Sequence, residues 1–164
     1  MGARRGRRTS IGEQFAVRTI RMLESPAWRV LSLSARRVIE RIEIELGHHG
    51  GNDNGNLPVT YADFEEYGIE RAAIGMAIRE AVALGFVEIT SPGVPGSREH
   101  RAPNKFRLTY LPAKGIEQEH GKGFWQQIET MEQALDIKRF GRSNRSPRRS
   151  RPTKTFIRAR HDFQ

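Results

Sequence analysis

The run from Thr60 to Thr90, TYADFEEYGIERAAIGMAIREAVALGFVEIT, constrains the fold more than any other part of the chain. Thr60 with Asp63 three residues on fits a capping box, so a short helix starts there and runs to about Tyr67. Gly68 supplies the positive φ of a sharp turn, and the apolar Ile69 pins that turn to a core. A second helix follows from about Glu70 to Leu84. At 100° per residue it turns Ile74, Ala77, Ile78, Ala81 and Val82 one way, and Ala72, Met76, Arg79 and Ala83 the other. Gly75 and Ala73 fall at the margins, and Gly85 ends the helix. Phe86–Thr90 alternates as a strand, Ser91 to Pro103 is turn-rich, and Lys105–Tyr110 returns as the partner strand.

Upstream, Phe15 to Leu23 reads as a short helix closed by Ser25-Pro26, and Trp28, Val30, Leu31 and Leu33 form a hydrophobic segment. Ser34 is placed to cap a helix from Ala35 to Leu46, with Ala35, Val38, Ile39, Ile42 and Leu46 as its stripe and Gly47 as its stop. Ile44 falls off that stripe. His48 to Asn56 (HHGGNDNGN) is turn chemistry, and His48, His49 and Asp53 read as a polar loop rather than a metal site. Leu57-Pro58-Val59 is a very short edge strand. The order helix, short strand, short helix, turn, helix, β-hairpin is that of an α+β winged helix–turn–helix. It is expected over 11–112, between a basic arm at 1–10 and, beyond 112, a linker with one amphipathic helix (113–140) and a basic tail (141–164). In that last helix Phe124, Ile128, Met131 and Leu135 repeat at helical spacing. They suit equally an intramolecular packing face or a homodimer seam formed by 115–140.

The charge is segregated. Lys+Arg number 28 against 19 Asp+Glu, a formal net charge of +9. Arg4, Arg5, Arg7 and Arg8 stand together without an acid, and 138–160 holds Arg145, Arg148, Arg149 and Arg151 among its basic residues, again without one. The span 9–137 is net negative, so the whole excess sits at the ends. Such segments are expected to be disordered alone and to bind a polyanion, and nothing in their composition separates DNA from RNA. The absence of cysteine excludes disulfides, Cys-ligated metals and thiol catalysis. No apolar run long enough to span a membrane and no secretory signal is seen, so a cytoplasmic, nucleoid-associated bacterial protein is expected. No catalytic motif, cofactor motif or metal-ligand spacing is present, which points away from an enzyme.

For duplex DNA, the second helix of such a unit enters the major groove. Ala72, Ala73 and Gly75 keep its outer face low, Arg71 is placed for a guanine edge or a phosphate, Met76 for a thymine methyl, and Arg79 for a phosphate. Thr60 and Tyr61 sit where the short helix begins, in position for a phosphate. Arg98, His100, Arg101 and Lys105 give the hairpin local positive charge within a negative body, which steers that edge toward DNA.

The runs MLESPAWRVLSLSARRVIERIEIEL, NDNGNLPVTYADFEEYGIERAAIGMAIREAVALGFVEIT and RAPNKFRLTYLP resemble winged helix–turn–helix proteins of phages, prophages and other mobile elements in alphaproteobacteria. The likeness covers about 21–112 and rests on the SPAW start, the Asn-Gly turn, the LGF helix end and the closing RLT strand. It extends to the N-terminal domains of plasmid and phage replication initiators. The resemblance implies a recognition helix at 70–84 and a wing tip at 91–103. It also implies a role as transcriptional regulator or replication accessory factor. Glu70-Arg71-Ala72-Ala73 stands where that family has a more polar helix start, which shifts base readout toward the wing or DNA shape. The alternative expectation is an RNA-binding or structural protein in which the Arg-rich tails bind nucleic acid and the winged domain docks a protein partner.

Overall fold

The computed structural model describes residues 13–94, 102–113 and 123–143. It is an α+β structure in which helices pack on one side of a small antiparallel sheet. In chain order the elements are α1 (Ile20–Glu24), α2 (Pro26–Arg29), α3 (Leu33–His48), β1 (Leu57–Val59), α4 (Tyr61–Glu66), α5 (Arg71–Ala83), β2 (Val87–Ser91) and β3 (Asn104–Leu108). A 3₁₀ turn (Phe124–Gln127) and α6 (Met131–Ser143) complete the described chain. The sheet order is β1-β3-β2, with Leu57 opposite Phe106 and Ile89 opposite Phe106 on the other side. Val94 bridges Ala102 beyond a register shift, and residues 95–101 lie outside the described residues.

The core is built where the period-3.6 and period-2 patterns meet. Val38, Ile39 and Ile42 of α3, Ile74 and Ala81 of α5, Phe64 of α4 and Phe86, Phe106 and Leu108 of the hairpin are buried to the last few per cent. Phe106 meets Phe64 edge-on, and Phe86 is met edge-on by Trp28 and face-on by Trp125. Strand alternation puts Phe106 and Leu108 on the helix side and leaves Lys105 and Arg107 on the outer face, where Arg107 pairs with Glu88.

Several boundaries differ from the sequence reading, each for a local reason. Residues 14–19 are not helical: α1 begins only at Ile20, where Thr19, in extended backbone, caps it by accepting from Met22 N. α3 starts at Leu33: Ser32, not Ser34, is the cap, its Oγ accepting from Ala35 N. That helix also runs through Gly47 to His48, with His49 as its C-cap, and the left-handed Gly50 and Gly51 follow. The capping box of α4 is present as read, with Thr60 Oγ1 and Asp63 exchanging bonds. Val82, read as inward, is exposed.

The largest correction concerns 124–135. Phe124, Ile128, Met131 and Leu135 do not form one stripe. The chain makes a 3₁₀ turn, breaks at Ile128, and begins α6 where Thr130 and Gln133 cap each other, Thr130 Oγ1 accepting from Gln133 N and Gln133 Oε1 from Thr130 N. Ile128 is buried, but Phe124, Met131 and Leu135 are exposed. The packed side of α6 is instead Ala134, Ile137 and Gly141, small enough to let the helix lie close on α5. A Cβ at Gly141 would collide with that of Ala83, so only glycine permits this approach. The described part of 113–140 is thus joined to the body's core rather than appended to it, and 141–143 belong to α6.

Two polar side chains fix loops to this core. Asn54, buried in the turn-rich loop, donates to the carbonyls of Leu108, Leu111 and Pro112 and accepts from Leu108 N at 2.8 Å, so it holds the end of β3. Arg18, at 3.0 and 2.5 Å from the two oxygens of the buried Glu43, lies over Trp28, and Tyr110 donates to Glu43 at 2.5 Å. Burial first, then the neighbouring Glu43 carboxylate, pushes the Tyr110 phenol well above its ordinary value.

Two measurements test this packing. Gly85 combines φ +82° with a Cβ direction that meets Trp125 N at 2.6 Å, so Gly85→Ala is expected to lower unfolding free energy in urea by more than about 1 kcal/mol. Because the folded protein holds the Tyr110 proton to higher pH than the unfolded chain does, stability is retained below about pH 10 and falls as pH rises beyond it. The slope is at most about 1.4 kcal/mol per pH unit from this group, and Tyr110→Phe is expected to flatten it.

Candidate nucleic-acid interface

The residues singled out in the sequence fall into one group, two outliers and a remainder outside the described chain. The group forms at the junction of α4, α5 and the hairpin base. Its first part is the α4 start: the capping box pins Thr60, and Tyr61, the next residue, is 39% exposed. Its second part is the first two turns of α5. Arg71 opens that helix with its side chain 60% exposed, Ala72 is exposed, and Gly75 and Met76 are half-buried. The two parts touch, for the Tyr61 hydroxyl lies 3.1 Å from where a Cβ on Gly75 would stand. Gly75 therefore serves Tyr61 as much as it lowers the helix face.

A cleft of about 460 Å³ runs between this corner and the hairpin. Thr60, Tyr61 and Arg71 line one wall; Gly93, Val94, Ala102 and Asn104 line the other. Asn104 shapes that wall by accepting from Gly93 N at 2.6 Å, and a Cβ on Gly93 would come within 2.7 Å of Ala102 O. Neither residue carried a signal in the sequence, since the contact depends on the hairpin register alone.

Charge inside the cleft is controlled. Arg71 is ion-paired with Glu65, and Glu66 and Glu70 are exposed close by in sequence. Burial by itself raises Asp63, but the bonds from Thr60 Oγ1 and N, with Arg41 nearby, outweigh it and hold the carboxyl below its ordinary value. The α4 start is thus a fixed negative point beside hydrogen-bond donors, while the Arg71 guanidinium is held by an exposed partner that it can exchange for another anion.

Lys105 and Arg79 lie apart from the group. Lys105 is half-buried on the outer face of the sheet, away from the cleft wall formed by Asn104. Arg79 is half-buried under α6 and donates to the Arg142 carbonyl at 3.3 Å, which makes it a cap for the end of α6. Arg98, His100 and Arg101, the arm residues Arg4, Arg5, Arg7 and Arg8, and the tail residues Arg145, Arg148, Arg149 and Arg151 lie outside the described residues.

Sequence reasoning missed Glu80. It is fully buried on α5 yet carries no local sign of it. Ser32 N donates to its Oε1 at 2.6 Å, Ser32 Oγ and Arg142 Nη1 to its Oε2 at 3.0 and 2.7 Å, and Lys138 Nζ stands 3.6 Å away. Lys138 and Arg142, counted with the basic tail, are therefore engaged in tying α6 to the body. Arg142 lies at the C-terminal end of α6, so α6 covers the second half of α5 and leaves the first half open.

Comparison of the chain with protein-family models, curated proteins and solved structures gives no significant match. Among the described residues no His, Cys, Asp and Glu cluster suits a metal ion, and no helix is long and apolar enough to cross a membrane.

An exposed ion pair of the Arg71–Glu65 kind is worth about 0.2–1 kcal/mol. Glu65→Gln is expected to free Arg71 and to raise affinity for a polyanion such as duplex DNA about two- to fivefold at low salt, read by fluorescence anisotropy. An unchanged or lower affinity would remove Arg71 from the interface.

Proposed function

We propose that this chain is a winged helix–turn–helix protein that binds duplex DNA. In this reading the first two turns of α5 enter the major groove, the α4 start and the hairpin straddle the adjoining backbone, and the basic segments add phosphate contacts. The observation that carries it is the exposed corner where the α4 start, Thr60 and Tyr61, meets Arg71 and Ala72 of α5, with Met76 half-buried beside them. A protruding helix end with small residues fits a groove about 12 Å wide, where bulk at positions 72 and 75 would hold it away from the base edges. The element order and the β1-β3-β2 antiparallel sheet support the winged arrangement.

Few base-reading groups line that corner. Arg71 and Met76 are the two, so affinity in this reading is dominated by phosphates and modest in sequence preference. With the resemblance of 21–112 to mobile-element proteins, the role is that of a transcriptional regulator or replication accessory factor. The competing protein-docking role has one observation of its own: an open apolar groove of about 600 Å³ beside α3, bordered by Phe15, Val17, Ile44 and Tyr67. It shares no residue with the α5 corner.

The test is binding of the full chain to a duplex of about 30 base pairs across a salt series. Arg71→Ala is expected to weaken binding about tenfold, within the 1–3 kcal/mol of one such contact. Met76→Glu, which sets a negative charge on the same face, is expected to weaken it further, with unchanged circular dichroism. Ending the chain after Ser143, so that α6 stays whole, is expected to lower the slope of log affinity against log salt by about 0.9 for each phosphate contact removed. Wild-type affinity in both point variants, with single-stranded RNA competing equally, would replace this reading with binding by the tails alone.

A further inference from the structure

Ile44 lies off the buried stripe of α3, and the structure gives it a setting of its own. It is 38% exposed and lines the open groove of about 600 Å³ together with Phe15 and Val17, which are 65% and 51% exposed. The segment carrying Phe15 and Val17 runs along α3 in the opposite direction. Arg18 is fixed at Glu43, while Gln14 Oε1 comes within 3.5 Å of where a Cβ on Gly47, one turn further along the helix, would stand. Three large apolar side chains thus line one depression without closing it, which marks a contact surface rather than a core.

Two further features say what fits there. The first is charge. Arg18 is spent on the buried Glu43, which it meets at 3.0 and 2.5 Å and which also accepts from Tyr110. Glu40, three residues earlier on α3 and on the same groove, is left with two long contacts, 3.5 Å to Arg18 Nη1 and 3.5 Å to the Tyr67 hydroxyl. Its side chain is 34% exposed. Among the Asp, Glu, Lys and Arg side chains lining the groove, Arg18 and Glu43 cancel and the Glu40 carboxylate remains. Beside apolar walls that carboxylate attracts a cation more strongly than it would in open water. The second feature is the main chain. Residues 13–17 lie outside any helix or strand, all are exposed, and among the described residues their N–H and C=O groups make no hydrogen bond. Such a row presents donors and acceptors at peptide spacing, which the backbone of a partner meets in full and a compact small molecule does not.

We infer that this groove docks a peptide segment of a partner protein, one carrying apolar side chains with a Lys or Arg among them. The apolar side chains lie against Phe15, Val17 and Ile44, the cation meets Glu40, and the main chain runs beside 13–17. An acidic segment is refused by Glu40, and a wholly polar one gains nothing from the apolar walls. The groove shares no residue with the α5 corner, so docking here stands beside DNA binding and does not rest on it.

The experiment selects a displayed library of random peptides of about ten residues on the full chain, with subtraction against Ile44→Glu. That variant is expected to keep wild-type circular dichroism and wild-type affinity for a duplex of about 30 base pairs. Peptides retained by the wild type alone are expected to share apolar residues with a Lys or Arg between them. For a synthetic peptide of that consensus, Glu40→Gln is expected to weaken binding about three- to fivefold by fluorescence anisotropy. The same peptide with its cation replaced by methionine is expected to bind wild type and Glu40→Gln equally, which isolates the pair from any change in fold. Val17→Pro removes one main-chain N–H and is expected to weaken both peptides alike. The inference is overturned if no peptide distinguishes wild type from Ile44→Glu, if the consensus lacks a cation, or if Glu40→Gln weakens both peptides equally. Concentration-dependent dimerisation that Ile44→Glu abolishes also overturns it, and gives the groove to a second copy of the chain.

Discussion

A single buried carboxylate organises this molecule. Glu80 has no solvent exposure, and an uncompensated charge there would cost several kcal/mol. Its oxygens are answered from two directions. Ser32, which also caps α3, gives its backbone N–H and hydroxyl; Arg142 and Lys138 approach from α6. The start of α3, the second half of α5 and the last turns of α6 are thereby fixed around one point. The glycine at 141 follows from it, because a helix drawn in this closely tolerates no side chain against Ala83.

The consequence is an asymmetry along α5. Its second half is covered by α6, with Arg79 turned to the end of that helix though Val82 is exposed, while the outer face of its first turn, at Arg71 and Ala72, is exposed beside the hairpin base. The opening is kept by different means: the Thr60–Asp63 box sets the start of α4, Tyr61 folds over Gly75, and Asn104 holds the hairpin at Gly93. A face meant to pack would be apolar there. This one presents a threonine, a tyrosine, an arginine with an exchangeable partner, two small residues and a single half-buried methionine. Such a set gains little from hydrophobic contact, which is why the DNA-binding proposal places its weight here and on the basic ends.

Elsewhere polar side chains do what a small hydrophobic core does not. Asn54 closes the loop before β1 onto the end of β3 with four bonds, and the Arg18–Glu43–Tyr110 set fastens the segment ahead of α1 across Trp28. Each of these residues looks unremarkable in sequence: an asparagine in a turn-rich loop, an arginine ahead of a short helix, a glutamate on a charged helix flank. Their significance comes from partners 25 to 67 positions away, which no local pattern encodes.

By itself the sequence determined the capping box at Thr60, the turn at Gly68, the inward stripes of α3 and α5, the hairpin pairing and the segregation of basic charge to the ends, because each depends on backbone propensity or short-range periodicity. Tertiary structure decided the rest. It moved the start of α3 to Ser32, since Glu80 holds that serine in place. It broke the expected four-turn helix at Ile128 and chose the small-residue side of α6 for packing, because close approach to α5 outweighs the hydrophobicity of Met131 and Leu135. It also turned Arg79, read as a phosphate contact, to the Arg142 carbonyl, and drew Lys138 and Arg142 of the basic stretch 138–160 to Glu80, as a buried charge must be answered by whichever opposite charge the fold brings within reach.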